Sequence, residues 1–151
     1  MNITVSGQHD APELPAGTQV VLALSPAEMA SANVALLRPG HLWLPMEDVS
    51  DWVSSDFSPS ETHLKRLTRT LFNLGAVPHL HIACWLGVSR STALLAHSLA
   101  VLNPYMTDRQ VADETLLVRP GADPNTLLLE LSDERLDRNL SGAFRTLAAY
   151  D

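Results

Sequence analysis

The chain has 151 residues, a formal net charge of −7, one cysteine and neither a low-complexity tract nor a long charge run. That length suits a single domain spanning residues 1–151, with a core large enough to fold without cross-links, and the acidic balance argues against a nucleic-acid or anionic-membrane surface. A lone cysteine excludes an internal disulfide, the first residues lack the basic and apolar regions of a signal peptide, and no apolar run reaches membrane-spanning length, so a cytoplasmic protein is expected.

Residues 2–5 read as a short edge strand. Residues 18–24 are a better one, rich in β-branched and aliphatic side chains and ended by Ser25-Pro26. A helix is expected over 27–37, stopped by Pro39-Gly40, and a third strand over 41–44, closed by Pro45. A loop with several Asp and Ser residues runs from 46 to 57. Ser58-Pro59-Ser60-Glu61 has the spacing of a capping box with proline at the first helical position, followed by Leu64, Leu67, Leu71 and Leu74 at helical intervals up to Gly75. On that helix Lys65, Arg66 and Arg69 read as a solvated face. Residues 78–83 form a strand and 91–102 an apolar helix. Thr107 to Gln110 is a second capping box, opening a helix to Val118. Pro120-Gly121 breaks the chain, Asp123-Pro124 restarts it, and one or two closing helices follow. Strands alternating with helices imply an α/β fold with a mainly parallel sheet of four to five strands flanked by helices.

The octet Cys84-Trp-Leu-Gly-Val-Ser-Arg-Ser91 lies between the fourth strand and the apolar helix. A loop entering a helix N-terminus directs backbone N–H groups at one point and can cradle a phosphate-like anion; Trp85, Leu86, Gly87, Val88, Ser89 and Arg90 would form that cradle. Cys84 sits at its mouth. Amide dipoles and a guanidinium favour the thiolate, the nucleophilic form. A buried structural cysteine is the competing reading, which the spacing to Gly87, Arg90 and Ser91 disfavours. Arg90 can fork two non-bridging phosphate oxygens; the alternative is an ion pair with a surface carboxylate. Gly87 permits close backbone approach. Ser91 can hydrogen-bond the sulfur or simply begin the helix.

A leaving oxygen needs a proton, so a carboxylic acid is required nearby. Asp48 lies just past a strand end, where parallel-sheet sites gather, with Asp51 and Asp56 as reserves on the same loop. His79 and His81 alternate on one strand face; packed histidines are the better reading than a metal pair, and no metal or cofactor is implied. Trp85 reads as an apolar wall beside the pocket.

These residues resemble the cysteine-dependent protein tyrosine phosphatase superfamily, in its compact dual-specificity branch. The resemblance rests on the Cys-x5-Arg-Ser loop, on Leu44-Pro-Met-Glu-Asp48, which is similar to the general-acid segment, and on Arg119-Pro120 with Pro124-Asn125, and it covers about residues 20–135. It implies that Cys84 attacks phosphorus while Asp48, in preference to Asp51, protonates the leaving alcohol or phenol. Asp48 then activates the water that hydrolyses the phosphocysteine, and no metal takes part. The implied partner is a phosphorylated protein or a small phosphoester. One departure stands out: the family has histidine before the cysteine, and here it is Ala83. That departure keeps open a catalytically weak phosphate-binding module. The cysteine count disfavours an arsenate reductase, and an acid requirement would disfavour a sulfur transferase. The absence of Lys and Arg at 85, 86, 88 and 89 disfavours polyphosphorylated inositols.

Overall fold

Four strands, all parallel, form the sheet in the computed structural model, which describes residues 1–51 and 55–149. They are β1 (Asn2–Ser6), β2 (Gln19–Leu22), β3 (Leu42–Trp43) and β4 (His79–Ala83), in the order β1-β4-β2-β3. The register pairs Ser6 with Ala83, Leu22 with Ala83, and Leu22 with Trp43. In a parallel sheet every strand ends at the same edge, so the segments after Ser6, Leu22, Trp43 and Ala83 emerge side by side. In open α/β sheets ligand sites gather at that shared edge.

Helices α2 (Glu61–Phe72), α3 (Arg90–Leu102), α4 (Asp108–Val118), α5 (Thr126–Leu136) and α6 (Leu140–Ala149) pack together on one face. The core there joins Val5, Val21, Leu80 and Ile82 of the sheet to Leu64, Leu67 and Leu71 of α2 and to Leu94, Leu95 and Leu99 of α3. Residues 90–100 of α3 are all buried, which explains why its sequence is apolar around the whole circumference. The opposite face has a thin cover in which Leu14, Val20, Leu22, Leu36 and Ala83 meet. None of the helices among the described residues is long and apolar enough to cross a membrane.

The α/β layering and the parallel sheet match the expectation from sequence, with two local corrections. The helix expected over 27–37 is only α1 (Pro26–Met29), followed by a separate 3-10 turn (Val34–Leu36). Asn33 interrupts it: its side chain caps the second turn, bonding the Ala35 N–H at 3.0 Å. The cap of α2 is Ser60, not Ser58, and Pro59 lies outside the helix. The residue reaching back is His63, whose Nδ1 accepts from the Ser60 N–H at 3.1 Å. The closing region is two helices, separated at Asp137, which takes a left-handed φ of 54°.

His79 and His81 are packed, as expected. The hydroxyl of Thr4 lies 2.6 Å from His79 Nε2 and 2.7 Å from His81 Nδ1, and Ser6 Oγ lies 2.8 Å from His81 Nε2. Burial, with the nearby charge of His79, pushes His81 down to about 4, so it is neutral near pH 7. No group of three or more metal-ligating side chains occurs among the described residues.

Candidate active site

Residues 84–90 curl at the end of β4 into the N-terminus of α3. Each carbonyl from 85 to 89 is engaged from outside the curl. Gln8 N–H donates to Trp85 O at 3.0 Å, Arg119 to Leu86 O at 3.1 Å and Gly87 O at 3.0 Å, Asp123 N–H to Val88 O at 2.9 Å, and Asn125 N–H to Ser89 O at 3.0 Å. The amide N–H groups of Trp85, Leu86, Val88 and Ser89, in contrast, donate to no protein group among the described residues. In a trans peptide the carbonyl and the N–H point in opposite directions. Carbonyls fixed outward therefore turn the amides that follow them inward, an arrangement of backbone that can receive an anion. Gly87 makes the curl possible: its φ is +74°, and a Cβ there would fall 2.4 Å from Gly7 N.

Cys84 is buried. Its Sγ accepts from the Gly87 N–H at 3.2 Å and lies 3.1 Å from Ser91 Oγ, itself fully buried. Both groups can stabilise a negative sulfur.

Arg90 is 4% exposed and does not point to the surface. Glu28 grips it as a fork, Oε1 at 2.6 Å from Nη1 and Oε2 at 3.0 Å from Nη2, and Nη1 also donates to Met46 O at 2.8 Å. Its Nε is buried without a partner among the described residues, a donor left for something else. Burial opposes the guanidinium charge, yet Glu28, with Cys84 and Asp48, outweighs it and raises the arginine above its ordinary value. Burial likewise opposes the Glu28 carboxylate, and the hydrogen bonds from Arg90 and Ser25 prevail and lower it. Sequence reasoning missed Glu28. The available signal was Ser25-Pro-Ala-Glu28, a capping box in which Glu28 bonds the Ser25 N–H at 2.9 Å.

Asp48 is exposed at the rim. Its Oδ1 accepts from Ser89 Oγ at 2.8 Å and from Asn125 Nδ2 at 2.9 Å. Asn125 also caps α5 through the Leu128 N–H, so it ties the Asp48 loop to a helix start. Its role beside Asp48 was not anticipated. A pocket of about 310 Å³ brings together Glu28, Asp48, Cys84, Trp85, Leu86, Val88, Ser89, Arg90 and Asp123. Asp51 and Asp56 are not among its lining residues. Trp85 lines it and meets His9 edge-on, with ring centroids 5.3 Å apart. Larger surface hollows elsewhere, such as that between α4 and α6, are not lined by the chain's single cysteine. Ala83 points to the thin face, fully buried against Leu14, Val20, Leu22 and Leu36, where a histidine ring would have to displace packed side chains.

No family model matches the chain, and no curated protein matches it. Solved structures do. Human DUSP28 superposes with a TM-score of 0.62 over 99% of this chain and 95% of its own, at 16% identity. Tk-PTP in its active form gives 0.61 over 83% and 89%, at 20% identity. PTPMT1 in complex with PI(5)P gives 0.58 over 83% and 79%, at 14% identity. The chain thus has the fold of the cysteine-dependent tyrosine phosphatases, in the compact form of the dual-specificity branch.

Proposed function

We propose that the protein is a phosphomonoester hydrolase working through a phosphocysteine, of the protein tyrosine and dual-specificity type. The observation that carries this reading is the loop whose carbonyls from 85 to 89 are all tied back while the Gly87 N–H is directed at Cys84 Sγ. The Cys84 thiolate forms a bond to phosphorus as the bond to the ester oxygen breaks, and Asp48 supplies the proton for that oxygen. Asp48, now a carboxylate, takes a proton from water, which attacks the phosphocysteine. Inorganic phosphate leaves, and Ser91 Oγ and the Gly87 N–H receive the sulfur's returning charge. Loop amides and the Arg90 Nε edge neutralise the equatorial oxygens, the part Mg²⁺ plays in many phosphoryl transferases. Glu28 occupies the opposite edge of Arg90 and so holds the guanidinium in plane for the anion.

The lining supports a narrower substrate class. Among the described residues lining the pocket Arg90 is the single cation, against Glu28, Asp48 and Asp123, so a second phosphate beside the first meets repulsion. A singly phosphorylated protein side chain or small aryl phosphoester fits this better than a polyphosphorylated headgroup. Ala83 favours one other reading, a phosphate-binding module with little turnover. Hydrolysis of an aryl phosphate in the presence of a chelator, by the wild type and by Cys84→Ser, separates the two. Metal-independent turnover that disappears in Cys84→Ser supports the enzyme, whereas binding of vanadate without turnover supports the module.

A further inference from the structure

We propose that Arg119 is a positioning residue, a latch closed by Asp10 that holds the peptide planes on either side of Gly87 in their anion-binding orientation. The proposal rests on the reading of the loop as an oxyanion site.

The geometry is specific. Arg119 reaches from the C-cap of α4 to the back of the loop, where Nε donates to Gly87 O at 3.0 Å and Nη2 to Leu86 O at 3.1 Å. Its remaining terminal nitrogen, Nη1, lies 2.9 Å from Asp10 Oδ2. The other oxygen of Asp10 accepts from the Gly7 N–H at 2.7 Å, so the carboxylate is itself pinned to the end of β1. One planar fork therefore joins two consecutive carbonyls and one carboxylate.

Those two carbonyls belong to the peptides that carry the Gly87 and Val88 amides. Fixing Leu86 O outward directs the Gly87 N–H at Cys84 Sγ, and fixing Gly87 O outward turns the Val88 N–H inward. Gly87 is also where the loop is easiest to flip, because glycine populates left- and right-handed backbone with similar ease. A flip would put a carbonyl oxygen where the anion's oxygens belong, replacing attraction by repulsion. The glycine that lets the cradle form also makes it reversible, and Arg119 removes that freedom. A lysine cannot replace it, since a point charge on a flexible stem cannot bridge three acceptors in one plane.

Two variants test this by vanadate affinity, aryl phosphate kinetics and thermal unfolding. Arg119→Lys keeps the charge, so a loss there reports geometry and not field. We expect vanadate to bind Arg119→Lys at least about tenfold more weakly, and kcat/KM to fall about 10²–10³-fold, the usual cost of losing an oxyanion donor. Asp10→Asn, at a half-exposed side chain that poses little folding risk, should weaken vanadate binding severalfold in the same direction. In the double variant the two losses should not add, because they open one latch. Unfolding midpoints should shift too little to account for either loss. Vanadate affinities within twofold of wild type in both variants would overturn the latch. A wild type that binds vanadate without hydrolysing loses the phosphatase reading while the latch still stands or falls on the affinities. A wild type that binds no oxyanion overturns both.

Discussion

Replacing Glu28 by Gln probes the buried pair on which Arg90 depends. The substitution keeps the shape and one acceptor, but removes the charge and sets an NH₂ against a guanidinium donor. The Arg90 side chain is 5% exposed and that of Glu28 24%, so water can compensate only on the carboxylate side. Removing one partner of a buried ion pair costs about 3–5 kcal/mol, and hydrogen bonds to charged groups contribute about 1.5–3 kcal/mol. The partial exposure of Glu28 and the surviving acceptor place Glu28→Gln at about 2–3 kcal/mol, within what a domain stable by about 5–15 kcal/mol survives. At about 2–4 °C per kcal/mol for this size, the melting temperature should drop by about 4–12 °C. Turnover should fall by about tenfold or more, since a displaced guanidinium costs alignment in the transition state. The pH dependence has a definite sign. Glu28 titrates lower in the folded protein than in the unfolded chain, so its contribution is fully present above the ordinary carboxylate range and is lost as pH falls below it. The gap between wild type and variant should therefore close in acid. Scanning calorimetry and aryl phosphate turnover read both effects. A Glu28→Gln protein melting within 1 °C of wild type, with turnover within about twofold, would refute the claim that this pair holds Arg90.

Other outcomes follow from the same geometry. Asp48→Asn should lower turnover about 10²–10⁴-fold, with a smaller loss for substrates whose leaving group needs little protonation; the same pattern in Asp51→Asn instead would move the acid. Asp123→Lys should improve KM for an aryl phosphate bearing a second anionic group severalfold over its neutral counterpart, and equal changes for both would show that Asp123 does not read substrate charge. His81 and His97 are both buried and pushed down to about 4, so the unfolded chain binds more protons between about pH 6.5 and 4 and stability falls as pH drops through that window. Each should remove about 2–3 kcal/mol by pH 4.5, measured by urea unfolding at pH 7 and 4.5, and a flat profile would contradict their neutral burial.

The parallel sheet was legible because its strands are short aliphatic runs bounded by Pro, Gly and Ser, and the loop because Cys84, Gly87 and Arg90 stand at fixed intervals next to each other in sequence. What escaped was assembled across the sheet edge. Glu28 reads locally as a cap residue and Asn125 as a turn residue, and both are. Their second contacts, to Arg90 and to Asp48, exist only once strands distant in sequence lie side by side. The 27–37 stretch was misread for the opposite reason: it has helical residues throughout, but the Asn33 N–H and side chain bond Gln8 and draw the chain out of the helix. Tertiary contacts outweighed propensity there.

The proposed anion cradle consists of main chain, and main chain is common to every sequence. Apart from Cys84, Gly87, Ser89 and Arg90, the loop asks little of its side chains, so Trp85, Leu86 and Val88 can be exchanged without touching the groups that the proposed mechanism assigns to the phosphoryl oxygens. In the proposed mechanism, chemistry and selectivity are thereby written in separate alphabets. A library randomised at 85, 86 and 88, with Cys84, Gly87, Arg90 and the Arg119 latch kept, should yield variants that differ in which ester they accept far more than in how fast they cleave it.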